Sequence, residues 1–510
     1  MYRKLKNSLR KILRFRSVAR RLYLHARGIS PASSIQKIAP PPVIYSLVSN
    51  AAIFDSRVMK QAKSLKEAGY RIIIYAATPK AEPHSGANKG IEIRRFHPFR
   101  NDLPLTEGER TTVLGLFGEE RPTIEKILRE VGRKEADASQ IKAQIASNAR
   151  RMRRLSRSTP QYGAAEIQQA SLKGSLASRI RERAQVLSKS RVFLNPYFFA
   201  ANLLAERFTE SPIAIHVHDI YPLAAAIELS QRLGAPVIYD AHEIETERLP
   251  PMSPFEKNFI DQVERLWLTK VHRMIVCCGS AADFYQHRFP GPRPTIVMNA
   301  PEFKAHETTP LDLRKACGIS MHDPLIIYTG SIGGEARGLH LVARAMRELP
   351  GYHLAILGPR HANNDAWFLA EAGAAGVASQ VHLLNPVDHE LVVSAIRSAD
   401  VGICPIQDAS LSYRYALPNK LFEMAFAGIP LCVSDLPEMA SFIRSNELGV
   451  TMNQSDPSDI ARALRETYQN RAQLRPCESR LAVLREKYGW AAQQANLLEI
   501  YSNLESRNVL

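Results

Sequence analysis

Residues 416 to 430 read ALPNKLFEMAFAGIP, and this stretch is the most informative part of the chain. Pro418 sets a backbone angle that suits a helix start, and we expect Asn419 to cap the free amide groups of that helix. Lys420 and Glu423 are three residues apart and share one helical face. A helix N-terminus beside a lysine favours a phosphate, and Glu423 is placed to hold hydroxyl groups. A diphosphate next to a diol describes a nucleotide sugar.

An ordinary helix explains the same fifteen residues equally well. In that interpretation Asn419 caps a helix with no special role, and Lys420 and Glu423 form a solvated pair on its surface. The rest of the chain has to distinguish between the two interpretations.

Strands and helices alternate on both sides of this stretch. Such alternation is typical of parallel sheets with helices on both faces. The strand-like runs form two groups, VIYSLVS, RIIIYAA, IAIHVHD, PVIYD and RMIVCC, then PLIIYTG, HLAILG, VHLLN, DVGICPI and IPLCVSD. The sequence therefore predicts an α/β fold of two facing, doubly wound, Rossmann-like domains. A ligand is expected at the carboxyl ends of the strands, in the cleft between the domains.

These patterns divide the chain into consecutive parts. A basic amphipathic arm covers residues 1–40, and a first Rossmann-like domain covers 41–305. Roughly residues 102–192 interrupt that domain with charged, helix-favouring sequence, which we interpret as an inserted helical hairpin or partly mobile arm. A second domain covers 306–480. A final helix within 481–510 is expected to pack back toward the first domain.

The positive charge is concentrated at the start of the chain. The net charge is +17, and residues 1 to 54 hold eleven Lys or Arg and no acidic residue. Residues 1–27 place apolar side chains on one helical side, which suits contact with an anionic membrane surface. A disordered tail and a targeting peptide remain alternatives. No aromatic-rich basic sheet accompanies the charge, so nucleic acid is not an expected partner.

The cysteines and the hydropathy point to an intracellular setting. Six scattered cysteines, mostly beside apolar runs, suggest free thiols in a reducing compartment. No apolar run is long enough to span a membrane. We expect a cytoplasmic protein, with peripheral attachment to the inner face of a membrane as an option.

A glycine-rich turn follows the strand-like run PLIIYTG. Gly330, Ser331 and Gly334 belong to this turn, and Arg337 follows just before a helix. Glycine turns let backbone amides approach a pyrophosphate, and Arg337 is placed to neutralise its charge. A plain strand-to-helix connection would have the same appearance, but a second phosphate-competent helix start at Asn419 favours the ligand.

Two strand ends of the first domain carry histidines and carboxylates. IAIHVHD places His216 and His218 on one strand face, followed by Asp219, and YDAHE ends with Asp240, His242 and Glu243. Hydrogen bonds to sugar hydroxyls or to a leaving phosphate suit these groups. The spacings are too short to favour a metal site, so no metal is expected. Histidines that are satisfied within the sheet edge remain the structural alternative.

The chain resembles the GT-B glycosyltransferases of family 4, the group 1 type. The resemblance rests on the double α/β layout, the turn at Gly330, PNKLFEMAFAGIP followed by CVSDLPE, YDAHE, and the closing KYGWAAQQANLLEIYSNL. It covers about residues 41 to 100 and 195 to 505. It implies a donor site in the second domain and an acceptor site in the first.

The resemblance also implies a role for individual residues. It makes Glu423 the carboxylate that holds the donor ribose and places Lys420 and Arg337 near the diphosphate. It places His218 near the donor sugar and the reacting centre. The remaining positions are the turn residues Gly330, Ser331 and Gly334, the base-binding stretch Pro386 and Val387, the donor-side residues Tyr415 and Asn419, and the acceptor-side residues Asp219, His242 and Glu243.

Two positions depart from the family pattern. Family members usually carry an acidic residue where this chain has Tyr415, and an Arg where it has Ser331. The main hypothesis is a retaining glycosyltransferase that moves a sugar from a nucleoside diphosphate to a glycan or lipid-linked acceptor, with no metal or other cofactor. The alternative is a catalytically degenerate nucleotide-sugar-binding or scaffold protein of the same fold. A sugar-nucleotide epimerase has only thin support.

Overall fold

The computed structural model describes residues 40–52, 55–78, 86–88, 90–97, 106–206, 208–303 and 311–507. The predicted basic arm, apart from residue 40, lies outside these described residues, as do residues 102–105 of the predicted insertion and the last three residues of the chain. Among the described helices, none combines the length and the apolarity that crossing a lipid bilayer requires.

Eight strands form the sheet of the first domain. They are β1 (Val43–Val48), β2 (Arg71–Ala77), β3 (Gly86–Asn88), β4 (Ile91–Phe96), β5 (Ala214–His218), β6 (Val237–Ala241), β7 (Arg273–Val276) and β8 (Thr295–Ile296). Their order in space is β3-β4-β2-β1-β5-β6-β7-β8. β3 pairs antiparallel with β4, and the other pairs are parallel. Every residue of β1 is buried, as expected for a central strand with helices on both faces.

Helices cover both faces of this sheet. Alternate residues of β1 therefore belong to two separate buried clusters. The helices of the first domain and its insertion are α1 (Ser56–Glu67), α2 (Glu107–Gly115), α3 (Arg121–Met152), α4 (Pro160–Lys189), α5 (Arg191–Leu203), α6 (Leu223–Leu233), α7 (Pro254–Leu268) and α8 (Gly279–Arg288). The insertion is an antiparallel hairpin of α3 and α4. Lys134 pairs with Glu182 near its base, and Asn148 donates to the carbonyl of Ala165 nearer its tip.

The second domain has a parallel sheet of six strands. They are β9 (Leu325–Thr329), β10 (His353–Leu357), β11 (Val381–Leu384), β12 (Val401–Cys404), β13 (Leu431–Ser434) and β14 (Gly449–Met452), in the spatial order β11-β10-β9-β12-β13-β14. Its helices are α9 (Leu313–Cys317), α10 (Leu339–Ala345), α11 (Ala362–Ala374), α12 (Val392–Ala395), α13 (Leu411–Arg414), α14 (Asn419–Phe426), α15 (Pro437–Asn446), α16 (Pro457–Gln469), α17 (Arg471–Leu474) and α18 (Glu478–Tyr488). The predicted α/β fold with two doubly wound domains is confirmed.

The last helix, α19 (Trp490–Arg507), returns to the first domain. Trp490, Leu497 and Tyr501 are buried in the same cluster as Ile44 of β1. The Trp490 indole donates a hydrogen bond of 2.9 Å to the hydroxyl of Ser64 in α1. The end of the chain therefore ties the second domain to the sheet of the first.

Candidate functional site

A cavity of about 210 Å³ lies between the two domains. Its first-domain wall comes from the ends of β6 and β7 and from α8. Its second-domain wall comes from Arg337 and from the segment between α13 and the start of α14. The carboxyl ends of parallel strands are where ligands bind in such folds. The polar and aromatic residues of the lining include His242, Glu243, Tyr285, Arg337, Tyr413 and Tyr415.

Helix α14 starts at Asn419, and Pro418 precedes it in an extended conformation with φ −77° and ψ 153°. The prediction that Asn419 caps this helix is therefore wrong. Asn419 already has helical geometry, so its side chain cannot turn back to the first amide groups, and the described residues provide no side-chain cap. Asn419 lines the cavity instead, and the uncapped amide groups remain available to a ligand.

The side chain of Lys420 reaches the glycine turn after β9. Lys420 is 8% exposed, and its Nζ donates a hydrogen bond to the Tyr328 hydroxyl. A Cβ atom built on Gly330 would stand 3.5 Å from that Nζ, so the ammonium group lies against the backbone of the turn. Gly330 has φ 110°, which side chains of other residues rarely tolerate. The fold thus brings the predicted cation and the predicted phosphate turn together.

Glu423 lies at the carboxyl end of the central strand β9. Its carboxylate is 8% exposed and accepts a hydrogen bond of 2.9 Å from the Thr329 hydroxyl. Within the described chain, Thr329 is its one hydrogen-bond donor. Because Lys420 and Glu423 are both buried, they are not a solvated surface pair. The ordinary-helix interpretation therefore does not describe this segment.

Arg337 ends a short 3-10 turn, Glu335–Arg337, that follows the glycines. Gly334, before this turn, has φ 68°, and Gly338, after it, has φ 74°. A Cβ on Gly338 would stand 1.9 Å from the Pro405 carbonyl, so only glycine fits there. The Arg337 guanidinium lies 5.7 Å from the ring of Tyr413 and reaches the cavity wall. The turn therefore directs a second cation toward the cleft, while the carbonyl of Ser331 accepts a hydrogen bond from Tyr328.

Pro386 and Val387 lie elsewhere at the same end of the second sheet. They follow β11, which is two strands away from β9. Pro386 is exposed, and Val387 packs partly against the core of the second domain. Neither contributes to the wall of the cavity between the domains. Their predicted place along a nucleotide base stays a prediction.

Asp240 is the centre of a buried polar network in the first domain. Its side chain is fully buried and accepts two hydrogen bonds from Arg57, of 2.9 and 2.6 Å, and one of 2.7 Å from Gln61. Burial is the largest single influence and opposes the charge of this carboxyl group, but the Arg57 guanidinium, His242 and hydrogen bonds from the neighbouring histidines together hold its pKa well below the usual range. Asp240 is therefore ionised, and α1 is locked onto the end of β6.

Three histidines surround Asp240. His218 Nδ1 lies 3.3 Å from an oxygen of Asp240 and 3.2 Å from His242 Nε2. Burial, together with the neighbouring His216, lowers the pKa of His218 to about 3. Burial also works against protonation of His242, but Asp219 and Asp240 raise the pKa of His242 to about 9. Near pH 7, the His218 imidazole is neutral, whereas His242 is protonated on both ring nitrogens and positively charged.

Asp219 holds the backbone that carries His242. Asp219 has φ 61°, and its Oδ1 accepts a hydrogen bond of 3.1 Å from the His242 amide. Its other oxygen lies 3.5 Å from His242 Nδ1. Glu243 comes next in the chain and lines the cavity, where burial raises its pKa. The structure therefore brings the three predicted acceptor-side residues to one rim and directs His242 and Glu243 into the cleft.

His216, His218 and Asp240 also meet the spacing of a metal site, because one ligand atom of each lies within 4.8 Å of the others. The sequence pattern gave no third ligand, since Asp240 lies on a different strand. The donor set does not suit a cation. Both Asp240 oxygens already accept from Arg57, and His216 Nδ1 is 2.5 Å from the Tyr501 hydroxyl. A metal ion would also have to sit beside the buried Arg57 charge.

Tyr415 stands where a carboxylate was expected from the family pattern. Its ring packs against the core of the first domain, and the thiol of Cys278 donates to its carbonyl oxygen at 3.2 Å. The Ser412 hydroxyl bonds both the amide and the carbonyl of Ile244, at 3.0 and 3.2 Å. This segment therefore connects the domains as well as lining the cavity.

Sequence patterns missed several residues around the site. Arg57 and Gln61 looked like ordinary helix positions, and Tyr501 looked like one more apolar residue of the last helix. An arginine on the inward face of α1 was the one local signal for the buried network. Tyr285 and Tyr413 had no signal at all, because they reach the cavity only through the packing of the domains.

Two protein-family models match the chain. The model described as "Glycosyl transferases group 1" matches residues 323–470, in the second domain. The model described as "Glycosyl transferase 4-like domain" matches residues 145–301, in the first domain.

One known protein of similar sequence and two of similar structure support the family matches. The glycogen synthase of Mycobacterium tuberculosis is 23% identical over 269 residues, which are 50% of this chain and 59% of that protein. Sucrose-phosphate synthase from Thermosynechococcus elongatus has a similar structure, with a TM-score of 0.59 at 13% identity, over 91% of this chain and 100% of its own. HepE from Anabaena, solved with UDP and glucose, gives a TM-score of 0.54 at 10% identity, over the same shares of the two chains. The structural matches show the GT-B fold.

Proposed function

This chain belongs to the group 1 glycosyltransferase family, and we propose that it is a retaining enzyme that moves a sugar from a nucleoside diphosphate to a glycan or lipid-linked acceptor. One observation carries the proposal. Lys420 and Glu423 are both buried on one face of α14, where Lys420 lies against the turn at Gly330 and Glu423 lies at the end of β9. A cation at a phosphate turn next to a carboxylate suits a diphosphate joined to a ribose.

In the proposed reaction, the bond between the anomeric carbon and the diphosphate oxygen breaks while the acceptor hydroxyl oxygen bonds to that carbon on the same face. The acceptor proton passes to the departing diphosphate. Lys420, Arg337 and the first amide groups of α14 stabilise the negative charge that grows on the leaving group. Protein cations supply this neutralisation, so the proposal needs no metal or other cofactor.

The first domain supplies the acceptor side of the proposed site. Protonated His242 lines the cavity and can donate a hydrogen bond to a sugar oxygen, and Glu243 can accept one from an acceptor hydroxyl. His218 is 1% exposed and contacts His242 at 3.2 Å instead of lining the cavity. The rings of Tyr285, Tyr413 and Tyr415 give the cavity the apolar faces on which sugar rings stack. We assign this rim to the acceptor because the donor-type features all belong to the second domain.

The membrane part of the proposal rests on sequence alone. Residues 1–27, outside the described part of the chain, keep the basic amphipathic pattern that suits an anionic membrane surface. An acceptor anchored in such a surface would then lie close to the enzyme. We propose a cytoplasmic enzyme that associates peripherally with the inner face of a membrane, without a nucleic-acid partner.

A second candidate function follows from Tyr415. Its ring packs against the first domain at the position where the family usually has an acidic residue, which leaves the donor sugar without that carboxylate. A protein that binds nucleotide sugar without turning it over would have this feature. We keep this scaffold function as the alternative.

A nucleotide-release assay distinguishes the two functions. We expect the purified full chain to bind one UDP- or GDP-sugar from a panel by calorimetry. We also expect it to release the nucleoside diphosphate faster when a glycan or lipid-linked acceptor is added, because closure of the cleft disfavours water as the acceptor. Binding without acceptor-dependent release would favour the scaffold. Release of an epimerised nucleotide sugar with no acceptor present would contradict both.

A further inference from the structure

The hairpin of α3 and α4 projects away from the core of the first domain. Ile124 and Val131 of α3 belong to that core, whereas the rest of α3 contributes only Ala138 and Asn148 to the buried residues. From Val131 to Met152 the helix adds about 30 Å, at about 1.5 Å per residue. The outer half is held by polar contacts within the hairpin, such as those of Asn148 to Ala165 and Gln169. The tip therefore has no role in packing the domain.

The tip of the hairpin is strongly basic. Residues 138 to 165 contain no acidic residue. Five arginines of this stretch are exposed, and within the described part of the chain their side chains form no ion pair or hydrogen bond. They are Arg150, Arg151, Arg153, Arg154 and Arg157. By contrast, the cations and acids of the shaft pair with one another, as Lys134 does with Glu182. Unpaired charges of the same sign repel one another and slightly destabilise the folded hairpin. We therefore expect a negatively charged partner to bind at this tip.

Helix stability explains only part of this charge. Cations in the last turn of a helix interact favourably with its dipole, which accounts for Arg150 and Arg151 at the end of α3. Arg153, Arg154 and Arg157 lie at or beyond the helix end, in the connection to α4, and gain little from the dipole.

We propose that this tip, residues 148–160, docks on the surface of an anionic lipid bilayer. Met152 and Leu155 lie among the arginines and are partly exposed, which suits shallow contact with the headgroup region. A nucleic-acid surface usually combines cations with stacking aromatic rings, and Tyr162 is the one aromatic residue between 138 and 165. The tip is a membrane contact distinct from residues 1–27, and it does not rest on the transferase function.

Neutralising the tip tests this proposal. In the full chain, Arg150, Arg151, Arg153, Arg154 and Arg157 are all changed to glutamine. Binding is measured by co-sedimentation with vesicles of phosphatidylcholine containing one quarter phosphatidylglycerol. Because each cation near an anionic surface strengthens binding roughly fivefold, we expect the variant to bind at least about tenfold more weakly than wild type. Neither protein should bind vesicles of phosphatidylcholine alone.

A matched control removes the same charge from the base of the same hairpin. The exposed residues Lys126, Arg129, Arg133, Lys189 and Arg191 are changed to glutamine. This variant should bind the anionic vesicles within about twofold of wild type, because its cations lie about 30 Å from the tip. Far-ultraviolet circular dichroism and calorimetric binding of nucleoside diphosphate should be unchanged in both variants, which keeps this test separate from the donor site.

Three results would overturn the proposal. The first is vesicle binding by the tip variant equal to wild type, which would assign any membrane contact to another part of the chain. The second is equal weakening in the base variant, which would show that only total charge matters. The third is tight binding of single-stranded RNA that depends on the tip, with no tip-dependent binding to anionic vesicles.

Discussion

Replacing Glu423 with alanine is expected to lower kcat/KM for the nucleotide sugar by about 100-fold. The buried carboxylate lies at the end of β9, where it accepts a hydrogen bond from Thr329, and in the proposed donor site it holds two ribose hydroxyls. Hydrogen bonds to a charged group contribute about 1.5 kcal/mol or more each, so the loss of two corresponds to about 3 kcal/mol of transition-state stabilisation. The measurement is the initial rate of nucleotide release in the presence of acceptor, over a range of donor concentrations.

Two further variants make this result specific. Glu423→Gln keeps the size of the side chain and should lose most of the same activity, because an amide binds a diol less strongly than a carboxylate does. Glu486→Ala removes an exposed glutamate of α18 and should change kcat/KM by less than about twofold. Full activity of Glu423→Ala would show that Glu423 does not bind the donor, and it would contradict the placement of the ribose at the end of β9.

Replacing Arg57 with methionine is expected to destabilise the first domain by about 3 to 5 kcal/mol. The change leaves the carboxylate of Asp240 fully buried without its main positive partner, and breaking a buried ion pair on one side typically has this effect. The Arg57 guanidinium also donates to the carbonyl of Val297, so a second buried group loses its donor. The midpoint of urea denaturation, followed by far-ultraviolet circular dichroism, measures the change.

Lys63 provides the matched control on the same helix. It pairs with Glu302 at 2.8 Å, but its side chain is 38% exposed and that of Glu302 is 37% exposed. Lys63→Met should therefore change the free energy of unfolding by less than about 1 kcal/mol. If Arg57→Met shifts stability no more than Lys63→Met, then the buried network does not hold the rim of the first domain.

The fold was predictable from local sequence patterns. Apolar runs such as VIYSLVS alternate with amphipathic segments, and this pattern has one common solution, a parallel sheet with helices on both faces. The glycine turn and the PNKLFEMAF helix were recognisable because each depends on residues a few positions apart. The capping position of that helix was not predictable, since Pro418 and Asn419 both suit a helix start. Only the backbone conformation shows that Pro418 precedes the first helical residue, Asn419.

The rest of the site depends on contacts between distant segments. Arg57 and Asp240 are 183 positions apart, and His216 and Tyr501 are 285 apart. No local spacing connects such residues, so the charge states of His218 and His242 could not be anticipated. Tyr415 shows the same limit, because the sequence alone did not indicate that its ring packs on the other domain.

A structure of the full chain with a bound nucleoside diphosphate tests the central claim most directly. We predict the terminal phosphate within hydrogen-bonding distance of Lys420 Nζ and of the first amide groups of α14, with the ribose hydroxyls at Glu423. A nucleotide bound elsewhere in the cleft, with Lys420 still hydrogen-bonded to Tyr328 and Glu423 bonded only to Thr329, would contradict it.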